Sequence, residues 1–142
     1  MKIVDKYVYP KSSRANIAGL RHYTLDGTEE KLPSVTTVLG NTQPKEKQES
    51  LDRWRQRVGL REAQKITRDA AIRGTAMHKY LEDLIRGDRS LDLTPLGVEA
   101  TKMAEIIVDH GLSYVDEVYG IEATLYYPGL YAGSVDLIGR YK

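Results

Sequence analysis

Apolar and polar side chains alternate singly through the stretch Ile121-Glu122-Ala123-Thr124-Leu125-Tyr126, and this period of two is the signature of a β-strand. It puts Ile121, Ala123 and Leu125 on one face and Glu122, Thr124 and Tyr126 on the other. Tyr127-Pro128-Gly129 supplies turn chemistry, and Ser134 to Arg140 reads as the return strand of a hairpin. With the turn centred near Gly129, Glu122 falls opposite Asp136, so two carboxylates share one face. They repel unless a cation joins them. Asp136, set among Val135, Leu137 and Ile138, is expected to be a buried charge, which is costly unless paired or bound to a metal.

Elsewhere the pattern changes to helical spacing. Residues 1 to 32 read as irregular strands, with Tyr7-Val8-Tyr9 ending at Pro10 and a hairpin turning at Asp26-Gly27. Ser34 is placed to cap a short helix that stops at Gly40. From about Pro44 to Thr67 the spacing of Leu51, Trp54 and Val58 predicts an inward helical stripe. On the other side Arg53, Arg57, Arg61, Lys65 and Arg68 line one face if the helix runs unbroken through Gly59. Such a row is either a solvated face, since Glu49, Asp52 and Glu62 are interleaved, or a ridge that tracks phosphates. A further helix is predicted from about Arg68 to Arg86, ending at Gly87, with Ala71, Gly74, His78, Leu81 and Ile85 facing inward. On spacing alone His78 reads as a core histidine before it reads as a ligand. Thr94-Pro95 opens a last helix, whose stripe of Ala100, Met103, Ile106, Ile107 and His110 leads to Gly111.

Composition narrows the chemistry. The 142 residues suit one domain, and 41% hydrophobic with 29% charged content is ordinary for a globular protein. No apolar run approaches the ~20 residues of a spanning helix, and the N-terminus lacks the apolar core of a secretory signal, so a cytoplasmic setting is expected. Without cysteine, any metal must be held by carboxylate, imidazole or backbone oxygen, which favours hard divalent ions. A net charge of +1 means that a nucleic-acid partner would have to be met by a local patch. Ten tyrosines beside no phenylalanine fit base stacking or, more simply, interfacial core positions.

Taken in order, the capped Pro33-Ser34-Val35-Thr36, the helix with Leu51-Asp52-Arg53-Trp54-Arg55-Gln56-Arg57, the Gly74-to-His78 helix and the strand Gly133-Ser134-Val135-Asp136 form a recognisable series. It resembles the RecB-like branch of the PD-(D/E)XK nuclease superfamily, closest to the phage exonucleases and the mitochondrial genome maintenance exonucleases, which share PSVT, LxRWxQR and G-x-x-x-H segments. The resemblance spans roughly residues 20 to 142. It implies an α/β fold with a restriction-endonuclease-like core, a mixed β-sheet flanked by helices, here a single partial domain over 1–142. It also implies a metal-dependent DNA exonuclease acting on single-stranded ends, in a bacterial host cell if phage-encoded. By the same resemblance His78 and Asp136 are catalytic and bind Mg²⁺ or Mn²⁺, and a second acid and a lysine follow as (D/E)-x-K on the next strand. The chain stops at Lys142 before such a strand, so it reads as C-terminally incomplete and inactive by itself, with an exposed hairpin edge open to self-association. Glu122 is either an auxiliary metal ligand or a structural partner for Arg73 or Arg140. The DNA-binding candidates are Arg53, Arg57, Arg61, Lys65, Arg68 and Arg73. The rival function is a non-catalytic nucleic-acid-binding or scaffolding module with the same fold.

Overall fold

The computed structural model describes residues 1–142, and the hairpin holds its two longest strands. Strands β5 (Val115–Tyr127) and β6 (Tyr131–Tyr141) pair antiparallel, both longer than the alternation alone indicated. In β5 the extra length comes from Val115 to Gly120, where register shifts between Val115 and Glu117 and between Val118 and Gly120 blur the period of two. A short strand β1 (Lys2–Ile3) pairs parallel with β5, so the sheet β1-β5-β6 is mixed. Tyr7-Val8-Tyr9, expected as a strand, is not one: the Tyr9 hydroxyl instead donates to the Tyr119 carbonyl and ties this irregular segment to β5.

A second, antiparallel sheet stands against the hairpin. It contains β2 (Ser12–Ile17), β3 (Leu20–Leu25) and β4 (Lys31–Pro33). Ala18 and Gly19, both at positive φ, make the tight β2–β3 turn, and the Asp26-Gly27 turn leads from β3 towards β4. The Ser12 and Thr124 hydroxyls lie 2.9 Å apart and Ser34 bridges Ala132, which joins this sheet to both strands of the hairpin. Tyr23, Leu25, Leu32 and Ala132 form the buried cluster between them.

Four helices complete the α/β fold: α1 (Val35–Asn41), α2 (Lys45–Val58), α3 (Leu60–Arg86) and α4 (Pro95–His110). Their ends follow cap chemistry. The Ser34 and Thr94 side chains accept hydrogen bonds from the Thr37 and Gly97 amides, and Gly87 closes α3 in the left-handed region. One boundary corrects the sequence reading. The break falls at Gly59, whose φ of 90° is outside the helical region, and not near Arg68, so α3 is a single 27-residue helix. None of the helices is long and apolar enough to cross a membrane.

The apolar stripes also come out differently. On α4 the buried positions are Gly97, Ala100 and Ala104, while Met103, Ile106 and Ile107 are exposed. Small residues let α4 approach its neighbour closely, while Ile106 stands in solvent and Ile107 at the edge of the contact. Leu51 of the α2 stripe is likewise exposed. The accessible surface is 10449 Å² for a chain of 16.0 kDa, against about 7,400 Å² expected of a compact monomer of that mass. Within this chain there is not enough packed surface to bury every amphipathic face.

Candidate metal centre

Three candidate ligand side chains meet where α3 passes the middle of the hairpin. His78 sits one helical turn after Gly74 on α3, and its Nδ1 lies 3.5 Å from Oδ1 of Asp136 on β6. Glu122 enters from β5. The flanking pairs Ile121–Leu137 and Ala123–Val135 leave Glu122 and Asp136 facing each other across the ladder. Donor atoms of His78, Glu122 and Asp136 all lie within 4.8 Å of one another. Octahedral ligands at ~2.1 Å from one Mg²⁺ are about 3 Å apart when adjacent, so the side chains would draw together to share one ion.

Exposure departs from expectation here. Asp136 was expected to be buried and His78 to face inward, yet their side chains are 69% and 49% exposed. The hairpin's apolar neighbours, Ile121 and Leu137, turn instead into a cleft of about 250 Å³ shared with Met77, Leu81, Ile85 and Ile107. The three donors stand on its rim, where they remain open to water and to a ligand. Glu122 has φ of 50°, a left-handed backbone that costs a non-glycine residue roughly 1 kcal/mol. Strain of this kind persists where surrounding structure imposes it, commonly beside functional groups.

No basic side chain neutralises the two acids. Arg73 is committed to Glu99 at 3.1 Å, and Arg140 to Asp116 at 2.6 Å and Glu117 at 3.3 Å, so neither partner considered for Glu122 reaches it. Apart from His78, the polar contact to the pair is the Ser134 hydroxyl, donating to Glu122 at 3.3 Å. One imidazole nitrogen and two carboxylates with no thiolate are a donor set for a hard or borderline divalent ion, the imidazole tilting preference towards Mn²⁺. Water has room to complete the coordination.

The basic row is interrupted. Arg53 and Arg57 belong to α2, Arg61, Lys65 and Arg68 to α3, and the non-helical Gly59 between them removes the continuous face. All five are exposed, and Arg68 lies 3.9 Å from Asp69. Arg73 is occupied by its ion pair. Two residues passed over in the sequence reading are Arg14 on β2 and Arg21 on β3. They line a polar cleft of about 290 Å³ whose far wall includes Glu122 and Asp136. Their signal was the alternation on both sides of Ala18-Gly19, which places both on one face of a hairpin.

Sequence similarity relates the chain to nucleases, and it reaches particular proteins. The chain is 27% identical over 118 residues to mitochondrial genome maintenance exonuclease 1 of Mus musculus, covering 78% of this chain and 34% of that protein. It is 30% identical over 128 residues to mitochondrial genome maintenance exonuclease 1 of Xenopus tropicalis, covering 86% of this chain and 35% of that protein. It thus spans about a third of the length of these curated relatives. No family model matches the chain, and no solved structure matches it.

Proposed function

We propose that this chain carries the metal-holding part of a DNA exonuclease of the RecB-like PD-(D/E)XK kind, acting on phosphodiester bonds at single-stranded ends with Mg²⁺ or Mn²⁺. The observation that carries the proposal is the convergence of His78, Glu122 and Asp136, with donor atoms within 4.8 Å and neither acid paired with a lysine or arginine. Exonuclease-named relatives that match most of the chain support it. The chemistry such an ion supplies is neutralisation of phosphate charge and generation of a nucleophile from water at neutral pH.

The chain's own residues do the rest. Asp136 and Glu122 hold two negative charges at one point of the ladder, which in the absence of a cation raises the energy of both and favours cation capture. His78 fixes the third direction from a rigid helix. The apolar cleft behind them keeps solvent to one side. The basic residues Arg53, Arg57, Arg61, Lys65 and Arg68 remain candidates for a DNA backbone in two separate groups, while Arg73 acts through Glu99 as a link between α3 and α4.

The test is metal-dependent binding of an end-labelled single strand. Affinity should rise when Mn²⁺ is added, the rise should be absent in Asp136→Asn, and a blunt duplex should bind more weakly. Affinity that ignores Mn²⁺ in both proteins would favour a non-catalytic binding module instead.

A further inference from the structure

The polar cleft beside the metal centre has a composition that the centre itself does not explain. Its walls include Arg14 and Arg21 from the β2–β3 hairpin, Ser34 and Thr36 from the start of α1, and Glu122 and Asp136 from β5 and β6. The β2–β3 register sets Arg14 opposite Tyr23 and Asn16 opposite Arg21, so the two arginines are diagonal neighbours on one face. At that separation long side chains reach each other. Two like charges on one cleft wall repel, and an anion that both can reach would relieve that repulsion. Neither arginine forms an ion pair with a carboxylate, a state they share with Arg53, Arg57, Arg61 and Arg89, but these two are placed together in one cleft by the sheet register. Arg14 rests over the Tyr23 ring at 5.8 Å, a contact that orients its planar head without neutralising it.

The acids across the cleft are too far for ion pairs and are the groups proposed to hold a metal. Positive charge on one wall and a cation-capturing pair on the other suit a ligand with anionic groups in succession. A nucleic-acid strand is such a ligand. Guanidinium forks match phosphate oxygens bidentately.

We propose that Arg14 and Arg21 form a phosphate-binding subsite that seats one backbone phosphodiester of a single strand next to the His78, Glu122 and Asp136 centre. The proposal rests on the nuclease reading of that centre but concerns binding, so it is tested with the metal removed.

A fluorescently labelled ten-nucleotide single strand is titrated with the chain in EDTA over a range of salt concentrations, using wild type, Arg14→Gln/Arg21→Gln and Arg14→Lys/Arg21→Lys. The glutamine pair should raise Kd on the order of tenfold and reduce the salt slope of log K by ~0.7, the value for one phosphate on a single strand. The lysine pair keeps the charge without the fork, so it should recover the slope and only part of the affinity. Unchanged affinity and slope in the glutamine pair would overturn the subsite. So would loss of inorganic phosphate binding with oligonucleotide affinity intact, which would mark a free-anion site. Failure of the metal centre shows separately, as lost Mn²⁺ binding, and leaves the EDTA titration unaffected.

Discussion

The β5–β6 hairpin carries one acid pair at the open end of its ladder and another at its middle, and they have opposite neighbours. At the open end of the strands, Asp116 accepts two hydrogen bonds from Arg140 at 2.6 and 2.9 Å and lies 3.2 Å from the Lys142 ammonium. Glu117 accepts from the Tyr119 hydroxyl at 2.7 Å. Nearer the turn, Glu122 and Asp136 have only His78 and Ser134 close by. The same residue types therefore do different work within six residues of chain. A neutralised acid pair closes a fold, and an acid pair without its own cation is ready for one from solution. The Arg140 guanidinium, then Lys142, hold the Asp116 carboxyl well below the usual carboxylate range, and Arg140 is raised in turn.

The largest effect is expected from making the metal pair resemble the structural pair. Ser134→Arg should place a guanidinium against Glu122, and Mn²⁺ affinity, read by calorimetry, should fall on the order of tenfold or more. Retained affinity would mean that the two acids do not act together. A smaller effect is expected at the other pair. Arg140→Gln should lower the melting temperature at neutral pH. A carboxylate whose folded pKa is depressed stabilises above its unfolded value, near 4, and loses that contribution as pH falls through the folded value. The deficit of Arg140→Gln relative to wild type should therefore shrink on acidification below pH 4. A deficit constant with pH would detach Asp116 from the ion pair.

The smallest effect separates ligand from backbone. Glu122→Gly should leave the melting temperature nearly unchanged, because relief of the strained φ, about 1 kcal/mol, offsets glycine's unfolded-state entropy of about 0.5–1 kcal/mol. Mn²⁺ binding should nevertheless weaken. A marked loss of stability with metal binding intact would assign Glu122 a purely structural role.

How much of this could be read in the sequence depended on whether one local rule governed a residue. The cap at Ser34, the Thr94-Pro95 start and the stops at Gly87 and Gly111 follow from local hydrogen-bond chemistry and were legible. So was the facing of Glu122 and Asp136, which the turn register determines. The break at Gly59 was not, because a glycine inside a helical pattern is tolerated as often as it interrupts. Burial failed for Asp136 and Met103, since period assigns a residue to a face but cannot say whether another element covers that face. Arg14 and Arg21 were overlooked because their meaning lies in a sheet packed across from residues more than 100 positions away.

The central claim is that the Glu122–Asp136 pair of the hairpin, with His78, holds a divalent ion and the Asp116–Glu117 pair does not. Titration of Mn²⁺ into wild type, Asp136→Asn and Asp116→Asn, followed by calorimetry, tests it most directly. The account predicts one Mn²⁺ per chain for wild type and Asp116→Asn, and none for Asp136→Asn. Equal binding in wild type and Asp136→Asn, or loss in Asp116→Asn alone, would contradict it.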